Sequence, residues 1–238
     1  MPKRIAAIQS SYIPWKGYFD AINFVDEFIL LDEVQFTRRD WRNRNRIKTP
    51  TGTRWLTIPV QVKGRYHQRI DETLIAEPDW GRKHWETLRQ SYRRAPHFDA
   101  VGERIAPLYL ESHHERLSDV NRAFIETIME SLGIPTPIRW STEYDTTGER
   151  GERILELCRA AGADEYVSGP AARDYLDEAT FADAGVSVRW MDYSDYPEYD
   201  QPAPPFEHGV TILDLLFATG PDAPSYMKTF GDGDGRFA

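Results

Sequence analysis

Six cations, Arg38, Arg39, Arg42, Arg44, Arg46 and Lys48, fall within eleven residues of a chain whose net charge is −9, and Asn43 and Asn45 alternate with the last three arginines. Guanidinium forks and amides present paired donors that match phosphate, carboxylate or base edges, so the stretch reads as an anion-binding surface. In a strand this alternation sets the guanidinium groups on one face and the amides on the other. A solvated basic loop is the plainer account of any charge run. Interleaved Arg and Asn argue against it, because a merely soluble face mixes in Lys and Glu. Asp32 and Glu33 stand just ahead, at the end of an apolar run. Asp32 is a candidate general base, and a helix cap or an ion pair with a neighbouring arginine accounts for it equally well.

Two further constellations lie on loops. Ser10, Ser11, Tyr12, Pro14, Trp15, Lys16 and Gly17 follow a short apolar run and precede the apolar pattern of Phe19, Ile22 and Phe24. A strand, a Ser/Pro/Gly turn and a helix start make an anion site in α/β proteins, with helix N-terminal amides facing the ligand. The spacing matches neither the phosphate loop of nucleotide triphosphatases nor the dinucleotide glycine fingerprint. Ser168 and Gly169 end another strand pattern and fall on the same rim. A serine nucleophile at Ser10, Ser11 or Ser168 has no evident His/Asp partner in sequence. His208 is the one histidine kept as a candidate acid or base, with packing or surface placement as its alternative. His84, His97, His113 and His114 read as surface or packing residues, and no metal site is expected.

The elements that must carry these groups alternate. Apolar runs at 5–9, 27–32, 55–60, 136–140 and 186–191, and one between 162 and 170, predict strands. Helical patterns cover 149–161, 171–177, 211–218 and, within a helical stretch at about 79–133, a helix at 120–132 with Ser118 as its N-cap and Gly133 as its stop. Strands alternating with helices predict an α/β fold with a mostly parallel sheet flanked by helices and right-handed crossovers. One domain over 1–225, with the stretch 79–133 as a helical insertion and a loose tail at 226–238, is the expected organisation. The segment from Tyr193 to Phe206, rich in Tyr and Pro, is either a strap over a site or a simple connector, and its length without regular pattern favours the strap.

Composition bounds the function. The apolar share is 40% and the aromatic share 13%, with seven Trp and twelve Tyr, and such rings often line sites for planar ligands. The acidic balance supplies no overall basic field for wholesale nucleic-acid binding; local contact with a phosphate or an RNA end stays open. The single cysteine, Cys158, sits among apolar neighbours of a helix pattern and reads as a packing residue. With no secretory signal and no apolar run of about 18 residues, the cytoplasm is expected and a membrane partner is not.

Taken together, the blocks from Gln9 to Asp20, Asp32 to Phe36 and Trp41 to Ile47, with Ser168 to Pro170, Tyr175 to Asp177 and Thr211 to Phe217, resemble the WbqC-like protein family over roughly residues 5–220. Members of that family are met in bacterial O-antigen and secondary-metabolite gene clusters. The resemblance implies a tailoring enzyme of natural-product or polysaccharide biosynthesis that attaches an acyl or aminoacyl group to an amine. The architecture is also distantly similar to the nucleotide-binding half of class I synthetases and nucleotidylyltransferases, a HUP-like core. Those proteins hold a triphosphate with two histidines around a glycine, and the corresponding loop here, Ile13 to Tyr18, has no histidine. A core of that kind without the activation motif suits an already activated donor, as cyclodipeptide synthases use aminoacyl-tRNA.

The leading expectation is therefore an acyl or aminoacyl transferase that forms an amide with an amino sugar or amino acid, its partner a small amine and its donor aminoacyl-tRNA or a nucleotide-activated acyl group. Arg42, Arg44 and Arg46, with Asn43 and Asn45, hold the donor's anionic group. Ser11, Tyr12, Trp15 and Gly17 shape the pocket, Ser168 and Gly169 add donors across the rim, and Gln35 and Tyr175 join from the resembling blocks. Asp32, His208 and Ser168 are the candidate catalytic residues. The alternatives are ATP- and magnesium-dependent nucleotidyl transfer or adenylation, and a non-catalytic binding module. Oligomeric state is not readable.

Overall fold

The computed structural model describes residues 2–231. Five parallel strands form the central sheet: β1 (Arg4–Ile8), β2 (Glu27–Leu30), β5 (Ile138–Trp140), β6 (Glu165–Ser168) and β7 (Ser187–Trp190), in the order β5-β2-β1-β6-β7. The central strands β1 and β2 are short and largely apolar because both of their faces are covered, whereas the edge strands carry Arg139 on β5 and Ser187 and Arg189 on β7. On β1 and β2, Ala6, Phe28 and Leu30 point to one side, while Ile5, Ala7 and Ile29 point to the other. The first side is covered by α1 (Lys16–Phe24), α4 (Leu117–Leu132) and α7 (Ile212–Thr219), through Phe19, Ile22, Phe124, Ile128 and Leu213. The second is covered by α5 (Arg150–Ala160) and α6 (Glu178–Asp183), through Ile154, Leu157, Cys158 and Phe181.

This strand order reverses between β1 and β6. The chain winds outward from β1 through β2 to β5, then returns to the far side of β1 and winds the other way. Doubly wound sheets bind ligands at that reversal, outside the carboxyl ends of the two strands. Ile8 and Ser168 end the two strands that flank it.

Between β2 and β5 the chain makes an antiparallel hairpin, β3 (Arg44–Thr49) and β4 (Gly52–Thr57), and then two more helices, α2 (Trp80–Tyr92) and α3 (Phe98–Leu110), ahead of α4. The strand expected at 55–60 lies earlier than its apolar residues suggest. The two-residue turn at Pro50 and Thr51 pairs Thr49 with Gly52 and so fixes the register. Pro59 has no N–H to give to a ladder and stays outside. Ile47 and Leu56 turn inward onto the helical layer, which an isolated two-stranded ribbon needs for stability.

Gly133 closes α4 in the left-handed conformation at φ 71°, as a helix stop of this kind requires. Ser118 is not the cap. The N-cap position is Arg116, and the Ser118 hydroxyl donates to Asp32 Oδ2 instead. The tail expected to be loose at 226–238 falls outside the described residues from 232 onward. Ahead of that, residues 226–230 are held: Met227 is buried, and the Lys228 and Thr229 amides each donate to Asp20 Oδ1 at 3.0 Å. Among the described residues, no helix is long and apolar enough to cross a membrane.

Candidate functional site

A cleft of about 490 Å³ opens at the reversal point. Its floor is the end of β1, Ala7 to Gln9, and the end of β6, Tyr166 with Ser168 and Gly169. One wall is the loop after β1, through Ser11, Pro14 and Trp15; another is the start of the hairpin, through Trp41, Arg42, Asn45 and Arg46. Tyr175 and Tyr193 close the remaining side.

The loop after β1 is held by the alternating Arg/Asn stretch. Arg42 Nη1 donates to the Gln9 and Ser10 carbonyls at 3.1 and 3.4 Å and to Ser11 Oγ at 2.9 Å. Asn45 Nδ2 donates to the carbonyls of Tyr12 and Ile13 at 3.1 and 2.9 Å. Ile13 sits at φ 38°, a costly conformation for a β-branched residue that only a well-fixed surrounding maintains. The strand alternation reads as expected: Asn45 is buried against the loop, while Arg44 and Arg46 stack on Trp55 from the other face, with Cζ 4.1 and 5.9 Å from the ring centre. Arg46 Nε also donates to the Gly209 carbonyl at 3.1 Å, and the Thr211 amide to the Arg46 carbonyl at 2.9 Å, which ties the start of α7 to the same wall.

The chemistry of the lining is narrow. Its titratable groups are two arginines and four tyrosines; among the described residues no carboxylate or imidazole lines it, and Asp40 and Glu207 stand outside the lining, 3.7 and 3.6 Å from Arg42 Nε and Arg46 Nη2. Burial pushes the Tyr18, Tyr166, Tyr175 and Tyr193 phenols above their ordinary value, so they are protonated donors at neutral pH. Tyr18 and Tyr166 donate to the Gln9 and Ala7 carbonyls at 3.2 and 3.3 Å. Arg42 Nη2 has no hydrogen-bond partner among the described residues, and Ser11 and Ser168 offer hydroxyls. The cleft can therefore hold an anion or a developing oxyanion beside an apolar group, with donors on several sides.

Of the expected residues, Ser11, Trp15, Arg42, Asn45, Arg46, Ser168, Gly169 and Tyr175 line this cleft. Gly17 does not, but a Cβ there would collide with the Trp15 ring, so the glycine lets Trp15 fold over the first turn of α1. Tyr12 turns into the core, where its hydroxyl donates to Tyr109 Oη at 2.8 Å and meets His84 Nδ1 at 2.9 Å. Asn43 is buried and donates to the Ile58 carbonyl at 2.8 Å. Gln35 is exposed on the loop before the hairpin and donates to the Tyr66 carbonyl at 2.9 Å.

Asp32 and His208 stand apart from the cleft. Asp32 is 1% exposed and accepts from the Ser10 amide at 2.7 Å and from the Ser10 and Ser118 hydroxyls at 2.6 Å each. Burial raises its carboxyl above the ordinary value, and the bonds from Ser10 and Ser118 oppose that rise. Asn121 completes the knot, donating to Ser10 Oγ at 2.9 Å and to the Arg42 carbonyl at 2.8 Å. The carboxylate thus fastens α4 to the loop that forms the cleft. His208 is exposed and stacks edge-on against Phe206 at 4.6 Å; partial burial and the positive charge of Lys16 lower its pKa.

Residues missed from sequence include Gln9, Tyr18, Tyr166 and Tyr193. The strap from Tyr193 to Phe206 does cross the outside of α1, and only its first tyrosine reaches the cleft. Tyr196, Tyr199 and Phe206 instead surround the buried Lys16 ammonium at 4.6, 5.3 and 5.9 Å, where it donates to the Pro197 carbonyl at 3.2 Å. Asp214 anchors the strap, accepting from Tyr92, Tyr199 and Gln201 at 2.7 to 2.8 Å.

Comparison with known proteins adds to this geometry. The sequence model of the WbqC-like protein family matches residues 9–226. The uncharacterized protein Rv1507c of Mycobacterium tuberculosis is 50% identical over 226 residues, covering 95% of this chain and 98% of that one. No solved structure matches the chain.

Proposed function

The chain belongs to the WbqC-like protein family, and on that footing we propose that its cleft takes an activated acyl or aminoacyl donor and transfers the acyl group to the amine of an amino sugar or amino acid. The observation that carries this reading is the content of the cleft: two guanidinium groups, two serine hydroxyls and the Tyr175 and Tyr193 phenols at the sheet's reversal point, with no carboxylate or imidazole in the lining among the described residues. Such a site stabilises negative charge and offers no strong base and no carboxylate ligand for a magnesium ion. It suits a donor activated elsewhere, whose carbonyl is already reactive, over activation on the spot.

In this mechanism the neutral amine attacks the carbonyl carbon of the donor ester. The new oxyanion is held by Arg42 Nη2, where a preorganised donor accelerates such steps by about 10²–10³. The C–O bond to the carrier then breaks, and the departing oxygen takes the proton the amine sheds, with the Ser168 hydroxyl as the relay. Trp15, Tyr175 and Tyr193 enclose the acyl and amine groups, and holding both in reach supplies much of the rest. Asp32 acts as a positioning residue.

Nucleotide activation is the second reading. The reversed strand order, common among nucleotide-binding sheets, favours it, and magnesium dependence would be its signature. A thermal-shift panel tests both: ATP with magnesium, acyl-CoA, nucleotide-linked amino sugars, free amino acids and aminoacyl-tRNA. A ligand at about 100 times its Kd adds roughly 2.7 kcal/mol, or roughly 5–11 °C for a chain of this size. A shift with an acyl or aminoacyl donor, lost in Arg42→Ala, supports transfer; a shift confined to ATP with magnesium puts the second reading first.

A further inference from the structure

Beside the cleft mouth lies a surface that the transfer chemistry does not use. Among the described residues the exposed large apolar side chains are Trp41, Trp55, Tyr66, Leu110 and Tyr175. Three of these gather at one place: Trp41 and Tyr175 line the cleft, and Trp55 lies against Trp41 with ring centres 5.3 Å apart and 41° between their planes. Trp41 and Trp55 are each 41% exposed. Trp41 precedes the first hairpin strand, and although Arg44 and Arg46 cover part of the Trp55 ring, both tryptophans keep exposed area beside the cleft.

The cations around them differ in how far they are engaged: Arg46 donates to the Gly209 carbonyl and lies 3.6 Å from Glu207 Oε1. Arg44 stacks on Trp55 and its guanidinium has no hydrogen bond or ion pair among the described residues; its Nε is shielded and unpartnered. Arg39 and Lys63 are exposed, and Arg38 Nη2 bonds the Val62 carbonyl at 2.9 Å, which sets the 38–39 turn beside Lys63. Between Val34 and Ile70 the chain holds ten Lys and Arg against one Asp, in a protein of net charge −9. This segment is a local positive field with aromatic faces in it, which is how proteins hold single-stranded nucleic acid: bases stack on the rings and cations follow the phosphates.

We propose that the Trp41–Trp55 face, with Arg44 and Arg46, docks the single-stranded 3′ end of an RNA whose terminal nucleotide enters the cleft past Trp41. The inference rests on the transfer reading, since it identifies the carrier of the activated acyl group as RNA. A free nucleotide would occupy the rings but would leave the cations of the 38–39 turn and Lys63 without a phosphate. An acidic protein surface would pair with the cations but would set no flat group on the tryptophans.

The test is fluorescence anisotropy with a labelled single-stranded RNA of about 12 nucleotides ending in CCA, at about 50 and about 200 mM salt. The expected result is saturable binding that weakens steeply with salt, falls roughly tenfold in Trp55→Ala and in Arg44→Gln, and is largely kept in Trp55→Phe, which retains a stacking face. Blunt duplex RNA, whose bases are already stacked, should bind more weakly. The proposal is overturned if AMP alone binds as tightly as the RNA, if duplex binds equally well, or if the folded Trp55→Ala and Arg44→Gln proteins bind as the parent does. The two readings fail separately: amide formed from a small acyl donor by a protein that binds no RNA retires the docking alone, and Trp55-dependent RNA binding with no amide from any donor retires the transfer reading alone.

Discussion

Replacing Asp32 separates a structural carboxylate from a catalytic one. In Asp32→Ala the Ser10 amide and the Ser10 and Ser118 hydroxyls all lose their acceptor in a site that is 1% exposed. Each orphaned buried donor costs about 1–3 kcal/mol. Part of that is offset, because the variant no longer buries a carboxyl whose charged form burial disfavours. The expected net loss is about 3–5 kcal/mol, a large share of the roughly 5–15 kcal/mol that typical domains have. Asp32→Asn keeps one acceptor oxygen for the Ser10 amide but turns an NH₂ toward two hydroxyls, one of which already accepts from Asn121, and should lose about 1–2 kcal/mol. Guanidinium chloride unfolding followed by tryptophan fluorescence gives both values, provided the denaturant slope is unchanged. The reasoning is refuted if Asp32→Ala costs less than about 1 kcal/mol, or if Asp32→Asn keeps full stability while abolishing turnover, which would make Asp32 a base.

Three further outcomes follow from the same contacts. Burial lowers the Lys16 pKa from 10.5 to about 8, against the opposing pull of Asp20, Asp214 and Glu198; the folded chain sheds this proton first, so between those two pH values the unfolded chain holds it and stability rises with pH. Wild type should therefore gain up to roughly 3 kcal/mol on Lys16→Met from pH 7.5 to 10.5, read from paired unfolding curves, and a flat difference would contradict the burial argument. Cys158 is fully buried and its thiol is pushed up to about 12, so the native protein should resist a thiol reagent at pH 8 and react once unfolded. Gly81→Ala should lower stability by about 1–3 kcal/mol or more, seen as a lower Tm, because its Cβ would enter the Tyr109 carbonyl where α2 crosses α3.

The sheet was legible at its centre because strands buried on both faces read as apolar runs, and β1 and β2 are of that kind; β6 is buried along its length but carries Glu165 and Ser168, and β7 is an edge strand with Ser187 exposed. Gly133 was legible because a helix stop in the left-handed region is a local requirement. Ser118 was misread because its spacing from the helix start fits a cap, whereas its partner, Asp32, lies on another element far away in sequence. The Arg/Asn alternation correctly marked a strand with two faces. What sequence could not convey is that Asn45, Arg42 and Arg46 all line the cleft while each also donates to loop carbonyls. Tyr166 and Tyr18 gave no local signal of a site because their rings are buried; only the arrangement of strand ends brings them to the cleft. Tyr193 belonged to a strap that was recognised, but nothing local distinguishes it from Tyr196 and Tyr199, which close on Lys16.

The most direct measurement is a single-turnover reaction of purified protein with a radiolabelled aminoacyl-tRNA pool and a pool of amino sugars and amino acids, without ATP or added metal, resolved for a new labelled amide. The account predicts that such an amide forms, and that Arg42→Ala, folded by circular dichroism, slows its formation by about 10²–10³ while Arg42→Lys slows it less. Amide formed only when ATP and magnesium are supplied, or tight donor binding with no amide at all, would contradict it.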